Sequence, residues 1–152
     1  MTSSQNDLLF VPLGGSGEIG MNVNLYHLDG KWVMIDCGLG FAQDIPGIDM
    51  MTADISFIKK NKKNLLGIVL THIHEDHIGA VQYLWEQLEV PVYATNFAAN
   101  FLRTKLEEFN KQLESKNEFL KTWKDYTSHF LSWFRKTQNL KPDNKKTFHS
   151  NR

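Results

Sequence analysis

The chain has 152 residues, 41% of them apolar, and its formal charges cancel. That length suits one domain or slightly more, and no run of about 18 apolar residues is present that would cross a membrane. The opening Met1-Thr2-Ser3-Ser4-Gln5-Asn6-Asp7 lacks the basic and apolar parts of a signal peptide, and Cys37 has no second cysteine to pair with; both features fit a reducing cytoplasm.

The zero balance hides an asymmetry. Residues 1–106 hold 7 Lys+Arg against 11 Asp+Glu, while residues 107–152 hold 10 against 6. All 10 glycines lie at or before Gly79. The front reads as turn-rich and mixed α/β, the back as Lys-rich and helical.

In chain order, Leu8-Leu9-Phe10-Val11 is a short apolar run that predicts a buried strand ending at Pro12. Val23 to Leu28 alternates apolar and polar, Trp32 to Ile35 is apolar, and Asp29-Gly30 between them predicts a hairpin. Asp36-Cys37-Gly38 ends the second strand. Ile55 to Lys63 is a helix candidate with Asp54 as its cap. Gly67 to Leu70 predicts another buried strand, Ile78 to Leu88 an amphipathic helix with Val81, Leu84, Trp85 and Leu88 on one face, and Val90 to Ala94 a strand. Asn96 opens a helix through Phe101, Leu102, Leu106 and Phe109. This alternation predicts a layered α/β domain.

The sharpest signal follows the Gly67–Leu70 strand, in Leu70-Thr71-His72-Ile73-His74-Glu75-Asp76-His77-Ile78-Gly79. His72, His74, Asp76 and His77 are nitrogen and oxygen donors of the kind zinc prefers, held on one tight turn at a strand end. They could serve one cation or be divided between two. A solvated, histidine-rich loop would explain the residue types but not their placement.

Other motifs invite plainer readings. Gly15-Ser16-Gly17-Glu18-Ile19-Gly20 is a literal G-x-G-x-x-G, but a strand pattern follows it where a dinucleotide-binding unit needs a helix, so no nucleotide site is expected. The glycines instead permit a sharp loop and close backbone approach. Cys37 reads as a small buried residue. His27, on a hairpin strand, and His129, in a helical aromatic stripe, read as structural.

Three segments together resemble the N-terminal part of the ribonuclease J family. Pro12 to Asn22 resembles its glycine-rich opening, Met34-Ile35-Asp36-Cys37-Gly38-Leu39 its first aspartate segment, and Leu70 to Ala80 its metal motif, including Glu75. Val90 to Thr95 continues the likeness, which covers about residues 8–109. The resemblance implies the N-terminal half of a metallo-β-lactamase αββα sandwich over 7–109. Past Phe109 the likeness fades, and the residues themselves predict a family-divergent helical, Lys- and aromatic-rich extension with a basic tail over 110–152. The resemblance also implies that His72 and His74 bind a first zinc and Asp76 and His77 a second, with manganese or magnesium as alternatives. Asp76 would take part in the metal–water site, and Asp36 would orient a ligand from behind. The implied activity is hydrolysis of RNA phosphodiester bonds, by exonuclease or endonuclease action, with two cations activating a water.

The family's third histidine, its bridging aspartate and its β-CASP domain lie further along than this sequence reaches. His149-Ser150 is a weak counterpart of the third histidine. Leu102, Leu106, Phe109, Leu113, Leu120, Trp123, Phe130 and Phe134 form an aromatic-rich seam over 102–134 that could pack on the front domain or on another chain. A half-sandwich would also expose one face of its sheet. The leading expectation is thus a truncated ribonuclease with little activity alone. One piece of a split enzyme completed by a partner or by self-association is a second reading. A non-catalytic RNA- or protein-binding module and another hydrolase of the same fold are further alternatives.

Overall fold

The computed structural model describes residues 7–42 and 45–110; His129, His149, the Lys141–Arg152 tail and most of the aromatic seam lie outside the described residues. Among the described residues, seven strands and four α-helices run in the order β1 (Leu9–Gly14), β2 (Val23–Leu28), β3 (Lys31–Ile35), β4 (Leu39–Phe41), β5 (Met50–Thr52), α1 (Ser56–Lys60), β6 (Leu65–Val69), α2 (Glu75–Ile78), α3 (Val81–Leu88), β7 (Val92–Tyr93) and α4 (Asn96–Asn110), with a short 3-10 turn at Lys62–Asn64 before β6. The main sheet has the order β1-β2-β3-β6-β7, and β4 and β5 pair separately. β1, β2 and β3 are antiparallel neighbours, whereas β3–β6 and β6–β7 are parallel. The carboxyl ends of β3 and β6 therefore emerge side by side, the position where α/β sheets build their sites.

The predicted hairpin forms, with Asp29 at φ 57° and Gly30 at φ 74°, the left-handed pair that a two-residue turn between twisted strands requires. Pro12 does not end β1: it sits opposite Asn24 within the strand, and a bulge falls between Pro12 and Gly14. β1 is the sheet edge, where a missing N–H costs no ladder bond. The β4–β5 pair is absent from the sequence expectation, because Met50-Met51-Thr52 is short and outward-facing.

Alternation on β2 and β3 sends Val23, Leu25 and Met34 to one face, where they meet Ile58 of α1, Val81, Leu84 and Leu88 of α3, and Ala98, Ala99 and Leu102 of α4. This is one helix layer on one sheet, half of an αββα arrangement. Each fully buried Val, Leu, Ile or Met side chain here contributes about 1.5–3 kcal/mol over an exposed one. The other face is more closed than expected: Leu28, Val33, Val69 and Tyr93 are buried together, with Tyr26, Ile35 and Leu66 packed against them. Phe10, on the edge strand, lies on Tyr26 with ring centroids 5.1 Å apart.

α4 begins at Asn96, capped by Thr95, whose hydroxyl accepts the Ala98 N–H at 3.2 Å. Its side of the aromatic seam faces this chain's own core, for Leu102 is buried and Phe109 meets Tyr83 edge-on at 5.4 Å. α1 is shorter than predicted, and Asp54 accepts the Ser56 N–H at 2.8 Å ahead of it. Hydrogen bonds from the Ser56 hydroxyl, then from its backbone N–H, hold the Asp54 carboxyl below its usual value. A depressed folded pKa means that the stabilisation is complete above the unfolded carboxylate's range and is lost as pH falls through the folded value. Asp54→Ala should therefore lower the urea midpoint at pH 7, with the gap to wild type closing as pH drops below about 4.

Candidate metal centre

Three segments meet at the carboxyl ends of β3 and β6. Met21 N donates to Leu39 O at 2.8 Å, Asn22 N to Asp76 O at 2.9 Å, Gly38 N to Asn22 O at 3.0 Å, Cys37 N to His77 O at 2.8 Å, and Ala80 N to Cys37 O at 2.9 Å. The glycine-rich loop, the Asp36–Leu39 segment and the histidine-bearing turn are thus laced together through their backbones. Gly38 is the crossing point: an added Cβ would overlap the Asp76 carbonyl group and lie 2.8 Å from His77 N.

Asp36 is the buried charged residue of this region, 4% exposed, with φ 63°. Its Oδ1 accepts the Thr71 N–H at 2.8 Å, and the Thr71 hydroxyl lies 3.0 and 2.9 Å from its two oxygens. Its Oδ2 is 2.8 Å from His77 Nδ1. A carboxylate only accepts, so Nδ1 of His77 carries a proton, and in the neutral ring the lone pair lies on Nε2. The Thr71 hydroxyl, having donated to Asp36, accepts from Nδ1 of His72 at 2.9 Å, which frees His72 Nε2 in the same way. One carboxylate thereby sets the tautomers of two histidines.

The three imidazoles cluster, with ring centroids of His72 lying 4.6 Å from His74 and 4.0 Å from His77. With Asp76, the donor atoms form two close pairs. His72 Nε2 faces His74 Nδ1 at 3.0 Å, and His77 Nε2 faces Asp76 Oδ2 at 3.5 Å. Among the described residues no group of three or more His, Cys, Asp or Glu side chains is disposed to hold a metal ion as placed. The donor chemistry fits a borderline cation, and the count is two donors per pair where zinc takes three or four protein ligands.

Two residues here escaped the sequence reading. Asn22 Nδ2 lies 3.1 Å from both Asp76 O and Asp76 Oδ2 and 3.2 Å from His77 Nε2; its signal was its place at the end of the glycine-rich segment. Thr71, within the motif itself, is the link from Asp36 to His72. Glu75 pairs with Lys105 of α4, whose ammonium also lies 5.9 Å from the Phe101 ring centre.

The remaining candidates fall away from this chemistry. Burial, reinforced by the Asp36 charge, pushes the Cys37 thiol up to about 12, so it stays protonated at neutral pH and is a poor nucleophile. His27 packs on Trp32 at 4.6 Å near the Asp29–Gly30 turn, at the opposite end of the sheet, with Nδ1 buried and without a hydrogen-bond partner. Gly20 leads through Met21 and Asn22 into strand β2 rather than a helix.

Residues 17–136 match the metallo-β-lactamase superfamily. The chain belongs to that superfamily. The matched range of this metallo-β-lactamase-superfamily protein runs past Phe109, where the motif-based likeness ends. It is 45% identical over 108 residues to a ribonuclease J of Sinorhizobium meliloti, covering 68% of this chain and 19% of that protein. It is 37% identical over 142 residues to ribonuclease J 2 of Staphylococcus aureus, covering 90% of this chain and 25% of the relative. The chain thus spans a quarter or less of the length of these curated relatives. Among solved structures it is similar to the short form of human tRNase Z, at 15% identity and a TM-score of 0.46, over 74% of this chain and 42% of that one. Among the described residues no helix is long and apolar enough to cross a membrane.

Proposed function

We propose that this chain carries the histidine-bearing half of a two-metal ribonuclease centre acting on RNA in the cytoplasm. The carrying observation is the reach of Asp36 to both halves of the cluster, to His77 directly and to His72 through Thr71, in a chain 45% identical to a ribonuclease J. His72 and His74 would hold one zinc, and Asp76 and His77 a second, with manganese or magnesium as alternatives. Such a cation pair supplies an activated water and charge neutralisation for in-line attack at phosphorus. The chain's own residues prepare for this: Asp36 and Thr71 fix two imidazoles with the proton on Nδ1 rather than Nε2, and Asp76 contributes the negative charge that favours a cation. No side-chain nucleophile is needed, in keeping with the protonated Cys37.

Two donors per cation among the described residues predict weak metal binding and little RNA cleavage by this chain alone. The test incubates the purified 152-residue chain with zinc or manganese and 5′-monophosphorylated RNA. His74→Ala and His77→Ala should each weaken metal binding by about 10-fold or more. Strong metal-dependent cleavage that His74→Ala abolishes would show that further ligands, with His149 the first candidate, complete the site. A wild-type chain that binds no metal would end the reading.

A further inference from the structure

The glycine-rich segment leads into strand β2 rather than a helix, and four of its glycines fall within seven residues, Gly14 to Gly20. Its path ends on one side chain. Asn22 is pinned through its backbone at both N and O, to Asp76 and Gly38. Its amide then reaches Asp76 O, Asp76 Oδ2 and His77 Nε2, all within 3.2 Å. Gly15, at φ 80°, makes room for it: an added Cβ would overlap Asn22 Oδ1 and lie 3.0 Å from Asn22 Cα. By contrast Gly17, at φ 85°, has nothing within 4 Å of such a Cβ.

We propose that Asn22 is a positioning residue for the Asp76–His77 pair, and that the glycine-rich loop serves to seat it. The amide has two hydrogens and three acceptors around it. It can hold the Asp76 carbonyl and carboxylate together while touching the His77 lone pair, which it would yield to a cation, so the carboxylate oxygen and Nε2 point to the same side. Asp36 holds His77 from behind and Asn22 holds the pair from in front. The proposal rests on the metal reading for its consequence, not for its geometry.

The experiment uses the full chain and zinc in competition with a chromophoric chelator, with circular dichroism and thermal midpoints as folding controls. Asn22→Ala should weaken zinc binding by about 10–100-fold, the range for residues that orient a ligand. The same substitution should add nothing in a His77→Ala background and should keep its effect in a His72→Ala background. Gly15→Ala should mimic Asn22→Ala without compounding it, whereas Gly17→Ala should leave zinc binding unchanged. Folded Asn22→Ala protein with wild-type zinc affinity would overturn the proposal. A wild-type chain that binds no zinc would instead defeat the metal reading, and the ¹⁵N resonance of His77 Nε2 in the metal-free protein then decides the positioning role. Asn22→Ala should shift that resonance, with His72 Nε2 unmoved; an unshifted His77 resonance would overturn it. If Asn22→Ala fails to fold, Gly15→Ala is read by the same two measurements, and a folded Gly15→Ala protein with wild-type zinc affinity and an unshifted His77 resonance overturns the proposal.

Discussion

Gly38→Ala should cost about 3 kcal/mol or more of folding stability and loosen the histidine-bearing turn. The added methyl has nowhere to go, because the atoms it meets are backbone: the Asp76 carbonyl and the His77 nitrogen. Overpacking against side chains costs about 1–3 kcal/mol, and a backbone cannot relax by changing rotamer. To admit the methyl, the turn would have to lift away from β3, stretching the Cys37 N–His77 O and Gly38 N–Asn22 O bonds together. Urea titration measures the loss, and a domain of this size should drop by roughly 4–8 °C in thermal midpoint per kcal/mol. A variant with an unchanged midpoint would mean that the three segments are not packed as tightly as the backbone bonds indicate.

Asp36→Asn should leave the protein folded and weaken metal binding by about 10–100-fold. Asn tolerates the left-handed backbone conformation that Asp36 adopts at φ 63°. Its amide oxygen can still accept the Thr71 N–H, so most of the local structure survives. What changes is the group facing His77 Nδ1: an N–H donor in place of a carboxylate oxygen. The imidazole must then move its proton to Nε2, the nitrogen needed for a cation, or turn away. Asp36→Ala is the harsher variant, since it strands the Thr71 N–H and His77 Nδ1–H, and about 2–4 kcal/mol of stability should go with them. Chelator competition on the Asn variant and denaturant titration on the Ala variant separate the two roles. Equal metal affinity in wild type and Asp36→Asn would show that the tautomer of His77 does not govern binding.

Much of this was legible because it is local. The hairpin at Asp29-Gly30 follows from two residues that accept positive φ between alternating runs. The helix expected over Ile78–Leu88 forms over Val81–Leu88, with Ile78 closing the separate turn of α2, and Val81, Leu84 and Leu88 are buried as the apolar spacing requires. The donor cluster was readable because four ligand-type residues crowd into six positions. The β4–β5 pair was not readable, since three-residue strands with outward Met side chains carry no period. Pro12 misled because its compatibility with a strand depends on whether that strand is an edge.

By itself the sequence determined most of the strand and helix types, the crowding of four ligand-type side chains, His72, His74, Asp76 and His77, on one turn, and the likeness to ribonuclease J, all properties of neighbouring residues. Only the tertiary structure decided how those donors are held. Asp36 meets His77 across 41 positions and Asn22 meets Asp76 across 54. Neither separation follows a helical or strand period, so no pattern in the chain announces it. Those contacts exist because parallel pairing of β3 with β6 brings their carboxyl ends together, and because Gly38 and Gly15 let three backbones approach closely enough for one carboxylate and one amide to grip the same histidine.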